Sequence, residues 1–97
     1  MNEIQITLGI AYYNQGFFNI GVNHQYLIGE HNDLIAFTLG DAAPFDGTID
    51  RTANPNGTPR IMCGHQYTQF VQQHFNQGDN MTVQIYGLHA ITIPFPQ

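Results

Sequence analysis

Residues 49–79 read IDRTANPNGTPRIMCGHQYTQFVQQHFNQGD, and this stretch decides the fold. Its tetrapeptide NPNG, at 54–57, is a strong turn signal because proline fixes its own backbone angle φ and Asn-Gly tolerates positive φ. Short β-prone runs flank the turn at 48–52 and 58–62. These two runs are therefore predicted to pair as the strands of a hairpin.

The second half of the stretch has the period of an amphipathic helix, which we predict over 64–76. Apolar residues recur at helical spacing, and glutamines cover much of the opposite side. The positions on the apolar side are Tyr67, Phe70, Val71, His74 and Phe75. On this face we expect His74 to be partly buried and hydrogen-bonded. Gly78 follows closely and is well placed to end the helix in the left-handed conformation.

Most of the remaining chain has the pattern of strands. Alternating apolar residues predict strands at 3–13, 17–22, 81–86 and 89–93, the last two as a terminal hairpin. The run LIAFTL, at 34–39, is almost wholly apolar and predicts a central strand covered on both faces. Gly21, inside the predicted strand at 17–22, indicates a bulge or a close backbone approach, and Gly47 indicates a bulge or a small turn of its own. The segment 23–29 fits either a strand or a helical turn, and residues 30–33 form a polar loop.

These elements predict one domain over residues 1–97 with a β-dominated α+β fold. About seven short strands and one clear amphipathic helix, with room for a second short helix near Tyr26, are typical of a small open β-barrel. Strand candidates at both termini would leave sheet edges that need covering. A homodimer is the simplest closed way to cover them.

The surface carries little charge. Charged residues make up 9% of the chain, whereas roughly 25% is usual in globular proteins. Nine asparagines and ten glutamines take their place. A weakly charged surface of this kind favours self-association or a protein partner.

The balance of that charge is acidic. Lysine is absent, two arginines face seven acidic residues, and the formal net charge is -5. This composition counts against DNA binding, because neutralisation of phosphates supplies most non-specific affinity for nucleic acids. Cys63 is the single cysteine and excludes an intramolecular disulfide, which favours a reducing, cytoplasmic location. The N-terminal residues have the pattern of neither a signal peptide nor a membrane span, so we expect no membrane partner.

The residues that could carry chemistry are scattered. Five histidines and one cysteine show no paired spacing typical of a zinc site, so we predict no metal and no other cofactor. An enzyme would have to use Cys63 with His65, or Asp46 with Asp50, as its acting groups. A buried structural thiol and two solvated acids are the preferred interpretations. We therefore predict a non-enzymatic protein without catalytic residues.

The two arginines stand out most. A chain without lysine that keeps two arginines near one turn indicates a need for planar, bidentate donors. The hairpin places them on neighbouring strands, where they could form one cationic spot. The candidate residues for binding nucleic acid or a partner are Arg51, Asn54, Asn56 and Arg60. The alternative is a structural ion pair with one of the aspartates at positions 41, 46 and 50.

Four pieces occur in an order that resembles the DNA-binding pseudobarrel family. They are FNI-x-x-NH-x-YL at 18–27, NGTPRI at 56–61, YTQFVQQHF at 67–75 and GD at 78–79. That family includes plant B-three domains and the recognition domains of some type II restriction endonucleases. The resemblance implies a seven-stranded open barrel with two short helices, and DNA held on a concave basic face by two loop arms that enter the major groove.

This chain departs from the family in having no lysine, no basic arm near its N-terminal strands and a net negative charge. The leading hypothesis is sequence-specific DNA recognition by a non-enzymatic binding module, with the 54–60 loop as its contact surface. The alternative is a self-associating module that binds protein or a small ligand. In its small size the chain also looks like stand-alone proteins carried on mobile gene cassettes.

Overall fold

The structure is a computed structural model that describes residues 1–96. Within them are seven strands, two α-helices and one single-turn 3-10 helix. The strands are β1 (Asn2–Thr7), β2 (Phe17–Asn19), β3 (Leu34–Leu39), β4 (Phe45–Asp50), β5 (Arg60–Met62), β6 (Asn80–Gly87) and β7 (Ala90–Ile93). The α-helices are α1 (Ile10–Asn14) and α2 (His65–His74), and the 3-10 helix is Gln25–Leu27. The predicted strand-dominated α+β fold is confirmed.

All seven strands belong to one sheet with the order β1-β6-β7-β3-β4-β5-β2. Neighbouring strands are antiparallel except β3 and β7, which run parallel. The sheet curls into a nearly closed barrel. Strands β1 and β2 are its two edges and do not pair with each other. The barrel is therefore open along one seam, between β1 and β2.

The core fills the inside of this barrel, because alternate residues of a strand point to opposite faces of the sheet. On β6 the inward residues Met81, Val83 and Ile85 are buried, as their alternation predicts. Helix α2 adds Tyr67, Phe70 and Val71 to the same core, and Phe75 follows directly after the helix. The predicted apolar face of the helix is confirmed, with the exception of His74.

His74 is exposed rather than partly buried. Its ring stacks against Phe70 and Phe95, with centroids 4.9 Å away in each case. It forms no hydrogen bond with any of residues 1–96, so both parts of that prediction are wrong. The helix ends at His74, and at Phe75 the chain is already extended. An imidazole in the last turn can cover an aromatic edge while its nitrogens stay in water.

The predicted N-terminal strand is too long. Ile4, Ile6 and Leu8 are buried as the alternation predicts, but Ile10 is 70% exposed and begins α1. Pairing with β6 stops at Thr7, because its partner Asn80 is the first residue of that strand. Beyond this point no neighbouring strand of the described residues, 1–96, holds the chain extended. The second helix of the fold is thus α1, and the Tyr26 segment contributes only the 3-10 turn.

The prediction for β3 is right in position and wrong in burial. The strand lies centrally, between β4 and β7. Its inward residues Ile35, Phe37 and Leu39 are buried, whereas Leu34 is 60% exposed. The outer face of this barrel is open at β3, so only one face of the strand is covered. At the C-terminus, β7 is also an interior strand, since it pairs with both β6 and β3, and the edge predicted there is absent.

Three glycines differ from their predicted roles. A Cβ at Gly21 would meet no atom within 4 Å, and the residue lies beyond the end of β2. Gly47 pairs regularly with Ile35, and there a Cβ would lie 2.5 Å from the Met62 carbonyl oxygen. Gly78 does have a positive φ, of 95°, but it turns the loop after α2 and does not end the helix. Its N–H donates to the Leu8 carbonyl at 2.7 Å.

Within residues 1–96, no helix has both the length and the apolar character needed to cross a lipid bilayer.

Candidate functional site

The predicted turn closes the β4–β5 hairpin. Gly57 has a φ of 75°, and its N–H donates to the Asn54 carbonyl at 3.0 Å, as in a β-turn. The Asn56 side-chain oxygen accepts from the N–H and the hydroxyl of Thr58, at 3.2 and 2.8 Å. Thr58 is buried. The amide of Asn56 therefore shapes the loop from within through its oxygen, and its NH₂ group makes no hydrogen bond inside residues 1–96.

The other end of the loop is held by Asp50. One of its carboxylate oxygens accepts from the N–H and hydroxyl of Thr52, at 2.8 and 2.9 Å, and from the N–H of Ala53 at 3.0 Å. These hydrogen bonds, those from Thr52 foremost, lower the pKa of Asp50. Asp46 and Asp50 share the outer face of β4, but the loop already uses Asp50 as a structural acceptor.

Arg51 directs its guanidinium group to four backbone carbonyls. Its Nε donates to Gly29 at 2.9 Å, Nη1 to Gly57 at 3.2 Å, and Nη2 to Gln25 and Ile28 at 2.9 and 2.7 Å. Its backbone N–H donates to Nδ1 of His31 at 3.0 Å. Since that nitrogen accepts, it carries no proton in this arrangement. Arg51 thus fastens the 25–29 segment to the hairpin loop and has little donor capacity left for a ligand.

Arg60 and Asn54 meet at Asn19. The Asn19 side-chain oxygen accepts from Nε of Arg60 at 3.2 Å and from Nδ2 of Asn54 at 3.1 Å. The guanidinium carbon of Arg60 lies 4.2 Å from the centroid of the Phe17 ring, a cation–π contact. Only Nε of Arg60 makes a hydrogen bond within residues 1–96, so its two terminal NH₂ groups can still donate to a ligand.

The structure therefore divides the candidate residues. Arg60 and Asn54 share Asn19 as a partner, whereas Arg51 binds a different part of the chain. The two guanidinium groups do not converge on a common partner as one cationic spot. The structural alternative, an arginine–aspartate ion pair, is also wrong, because within residues 1–96 the close pairs between a basic side chain and an aspartate are His31 with Asp50 and His89 with Asp33, and neither arginine takes part.

One of those pairs forms a site that the sequence did not reveal. Nε2 of His89 lies 2.7 Å from Oδ2 of Asp33, which also accepts from the Glu30 N–H at 2.9 Å. The hydrogen bond from His89 is the main cause of a lowered pKa of Asp33. A Cβ at Gly29 would lie 2.6 Å from the His89 nitrogen, so any larger residue there would require the His89 and Asp33 side chains to shift. The two residues are 56 positions apart, too far for any local spacing signal.

Cys63 lies in the core, and burial raises the pKa of its thiol well above the usual value. Its Sγ lies 3.5 Å from the Ile61 carbonyl oxygen, while His65 is exposed at the start of α2. Burial and the raised pKa both disfavour the thiolate, which is the nucleophilic form of cysteine, and this position fits the structural role preferred for Cys63. Among residues 1–96, no three histidine, cysteine or acidic side chains come close enough to hold a metal ion.

Apolar side chains gather on the surface where β1 begins and β6 ends. Met1, Tyr26, Tyr86 and Leu88 are 67%, 71%, 60% and 52% exposed. They surround a depression of about 200 Å³ that no acidic or basic side chain of residues 1–96 lines. We call these four residues the end patch.

No family model matches the chain, and no curated protein sequence matches it at a significant level.

Proposed function

We propose that this protein is a non-enzymatic module that binds protein and that it self-associates through the end patch. The observation that carries this proposal is the clustering of four large, exposed apolar side chains on one face. Contiguous exposed apolar surface of this kind marks interaction sites, and aromatic residues and methionine are enriched at the centres of interfaces. Scattered apolar residues would carry no such meaning.

A second copy of the chain is the partner that fits the end patch. Each copy carries a formal net charge of -5, but no carboxylate lines the depression within the patch. Two copies can therefore bring these depressions together without opposing carboxylates inside them, while Glu30 and Asp33 lie in the adjoining depression that Tyr26 and Leu88 also line. A two-fold interface places each patch on its own counterpart and closes the assembly at two copies.

Substitution of Leu88 by aspartate is expected to weaken self-association by roughly tenfold or more, because burial of a leucine contributes about 1.5–3 kcal/mol and the carboxylate opposes it. Sedimentation velocity over a concentration series measures the change. Ile10→Asp is the matched control, since Ile10 is 70% exposed on α1, outside the patch. A wild-type protein that stays monomeric well above micromolar concentration, or equal weakening by both substitutions, would contradict the proposal.

DNA recognition is the second candidate function. The observation that favours it is a nearly closed barrel of seven strands with two α-helices, the architecture that the pseudobarrel resemblance implies. The positions of the arginines limit it, because backbone carbonyls engage most donors of Arg51, whereas both terminal NH₂ groups of Arg60 make no hydrogen bond within residues 1–96. Any hydrogen bonds to the edges of bases would come from Arg60 and from the NH₂ groups of loop amides such as Asn56.

Selection from a randomised duplex pool at low salt tests this candidate. If DNA is bound, we expect an enriched sequence, a shallow salt dependence with a slope near -1, and loss of enrichment for Arg60→Ala. Asp41→Ala, which removes an exposed charge away from the hairpin loop, is the control variant. Absence of enrichment with the wild-type protein would remove DNA recognition and leave the protein-binding module.

A further inference from the structure

The open seam of the barrel exposes the backbone of β1. This strand pairs with β6 on one side and, among residues 1–96, with no strand on the other. In residues 2–6, the backbone N–H and C=O groups that point away from β6 form no hydrogen bond with any of residues 1–96. An edge with free N–H and C=O groups is a template for a further strand. On the other side of the seam lies β2, which has three residues and runs antiparallel to β1.

A groove of about 730 Å³ follows this seam. We call it the seam groove. The side chains that give it its character are Glu3, Gln5, Asn19, Val22, Asn56 and Thr58. Val22 is 57% exposed and offers an apolar contact. The NH₂ groups of Asn19 and Asn56 make no hydrogen bond within residues 1–96, so they can donate to a ligand. The groove therefore combines strand edge, amide and apolar surface.

Charge decides which ligand suits the groove. Glu3 is the acidic side chain in its wall, His24 also lines it, and neither arginine does. A phosphate backbone would meet a carboxylate and no arginine, which disfavours nucleic acid. A basic segment would instead find an opposite charge in the wall and an excess of acids over the whole chain.

We propose that the seam groove binds an extended, basic segment of a partner protein, which adds to β1 as an antiparallel strand. Main-chain hydrogen bonds supply affinity in this mode of recognition, and contacts to alternate side chains supply specificity. β1 has six residues, so the bound segment spans about 20 Å at the rise of a strand. The inference extends the proposed protein-binding function to a second site and does not require self-association.

Selection of displayed random seven-residue peptides against the full chain tests the proposal. The Leu88→Asp variant is the protein used in the selection. Because this substitution is expected to weaken self-association, the result does not depend on whether the wild-type chain self-associates. We expect enrichment of basic peptides with apolar residues at alternate positions. Lack of enrichment, or enrichment of acidic peptides, would overturn the inference.

A synthetic peptide from the enriched pool then identifies the site. Glu3→Lys is expected to weaken its binding by roughly tenfold, and Glu30→Lys, an exposed charge outside the groove, by less than about twofold. The peptide should also slow hydrogen exchange of the β1 amides that face the seam.

Equal effects of the two substitutions would overturn the proposal. It would also be overturned if an eight-residue single-stranded dT oligonucleotide bound at the same amides more tightly than the peptide does. If those amides exchange slowly without peptide, and more slowly at higher protein concentration, the groove is occupied by a second copy of the chain. That result would also overturn the proposal.

Discussion

Arg51→Ala is expected to lower the free energy of unfolding by about 3–4 kcal/mol, the largest effect of any single polar substitution in this chain. The guanidinium group holds the carbonyls of Gln25, Ile28 and Gly29 against the hairpin loop. Hydrogen bonds from a charged donor contribute more than neutral ones, and their loss leaves partly buried carbonyls without a partner. Urea denaturation followed by circular dichroism measures the change.

Two further variants separate geometry from charge at this position. Arg51→Lys keeps the charge but replaces the planar fork by a single ammonium group, which cannot reach four carbonyls, so we expect it to restore less than half of the lost stability. Arg60→Ala removes one hydrogen bond and a cation–π contact, and is expected to cost about 1 kcal/mol. If Arg51→Ala were no more destabilising than Arg60→Ala, the structural role of Arg51 would be refuted.

Phe70→Ala is expected to lower the free energy of unfolding by about 3–5 kcal/mol, because it removes a buried ring and leaves a cavity that the barrel cannot refill. Phe70 is 7% exposed and packs beside His74, Phe75 and Phe95, with ring centroids 4.9, 6.1 and 5.6 Å away. This cluster joins α2 to the chain after β7. The variant is expected to unfold at a markedly lower urea concentration or to be unfolded in buffer.

Gln69→Ala provides the matched control for the helix. Gln69 is the exposed neighbour of Phe70, and alanine is a better helix former than glutamine, so this change is expected to be neutral within about 0.5 kcal/mol. Equal stability of the two variants would show that α2 does not depend on its apolar face.

Local patterns predicted the parts of this protein that depend on neighbouring residues. The NPNG turn closed the expected hairpin, because Gly57 can adopt a positive φ and Asn54 accepts its N–H within the turn itself. The buried positions of α2 followed from helical spacing, and those of β6 from strict alternation. In each case the period of the backbone alone determines which side chains share a face.

Part of the candidate site followed from composition, and part did not. Two arginines in a chain without lysine drew attention to Arg51 and Arg60, and both have specific partners. The identity of those partners was not predictable, since Arg51 binds carbonyls more than twenty positions earlier and backbone acceptors leave no mark on the sequence. Asn19 escaped notice for the same reason, as an amide within a strand has no local signal for its role.

The sequence by itself determined the hairpin, the apolar face of α2, the alternation of the strands and a surface poor in charge, because these depend on residue type and local spacing. Tertiary structure decided the order of the strands, the parallel pairing of β3 with β7, the end of β1 at Thr7 and the meeting of Asp33 with His89. It also decided that the sheet stays open between β1 and β2. These features depend on which distant segments become neighbours, and that choice is made by the packing of the whole barrel around one core.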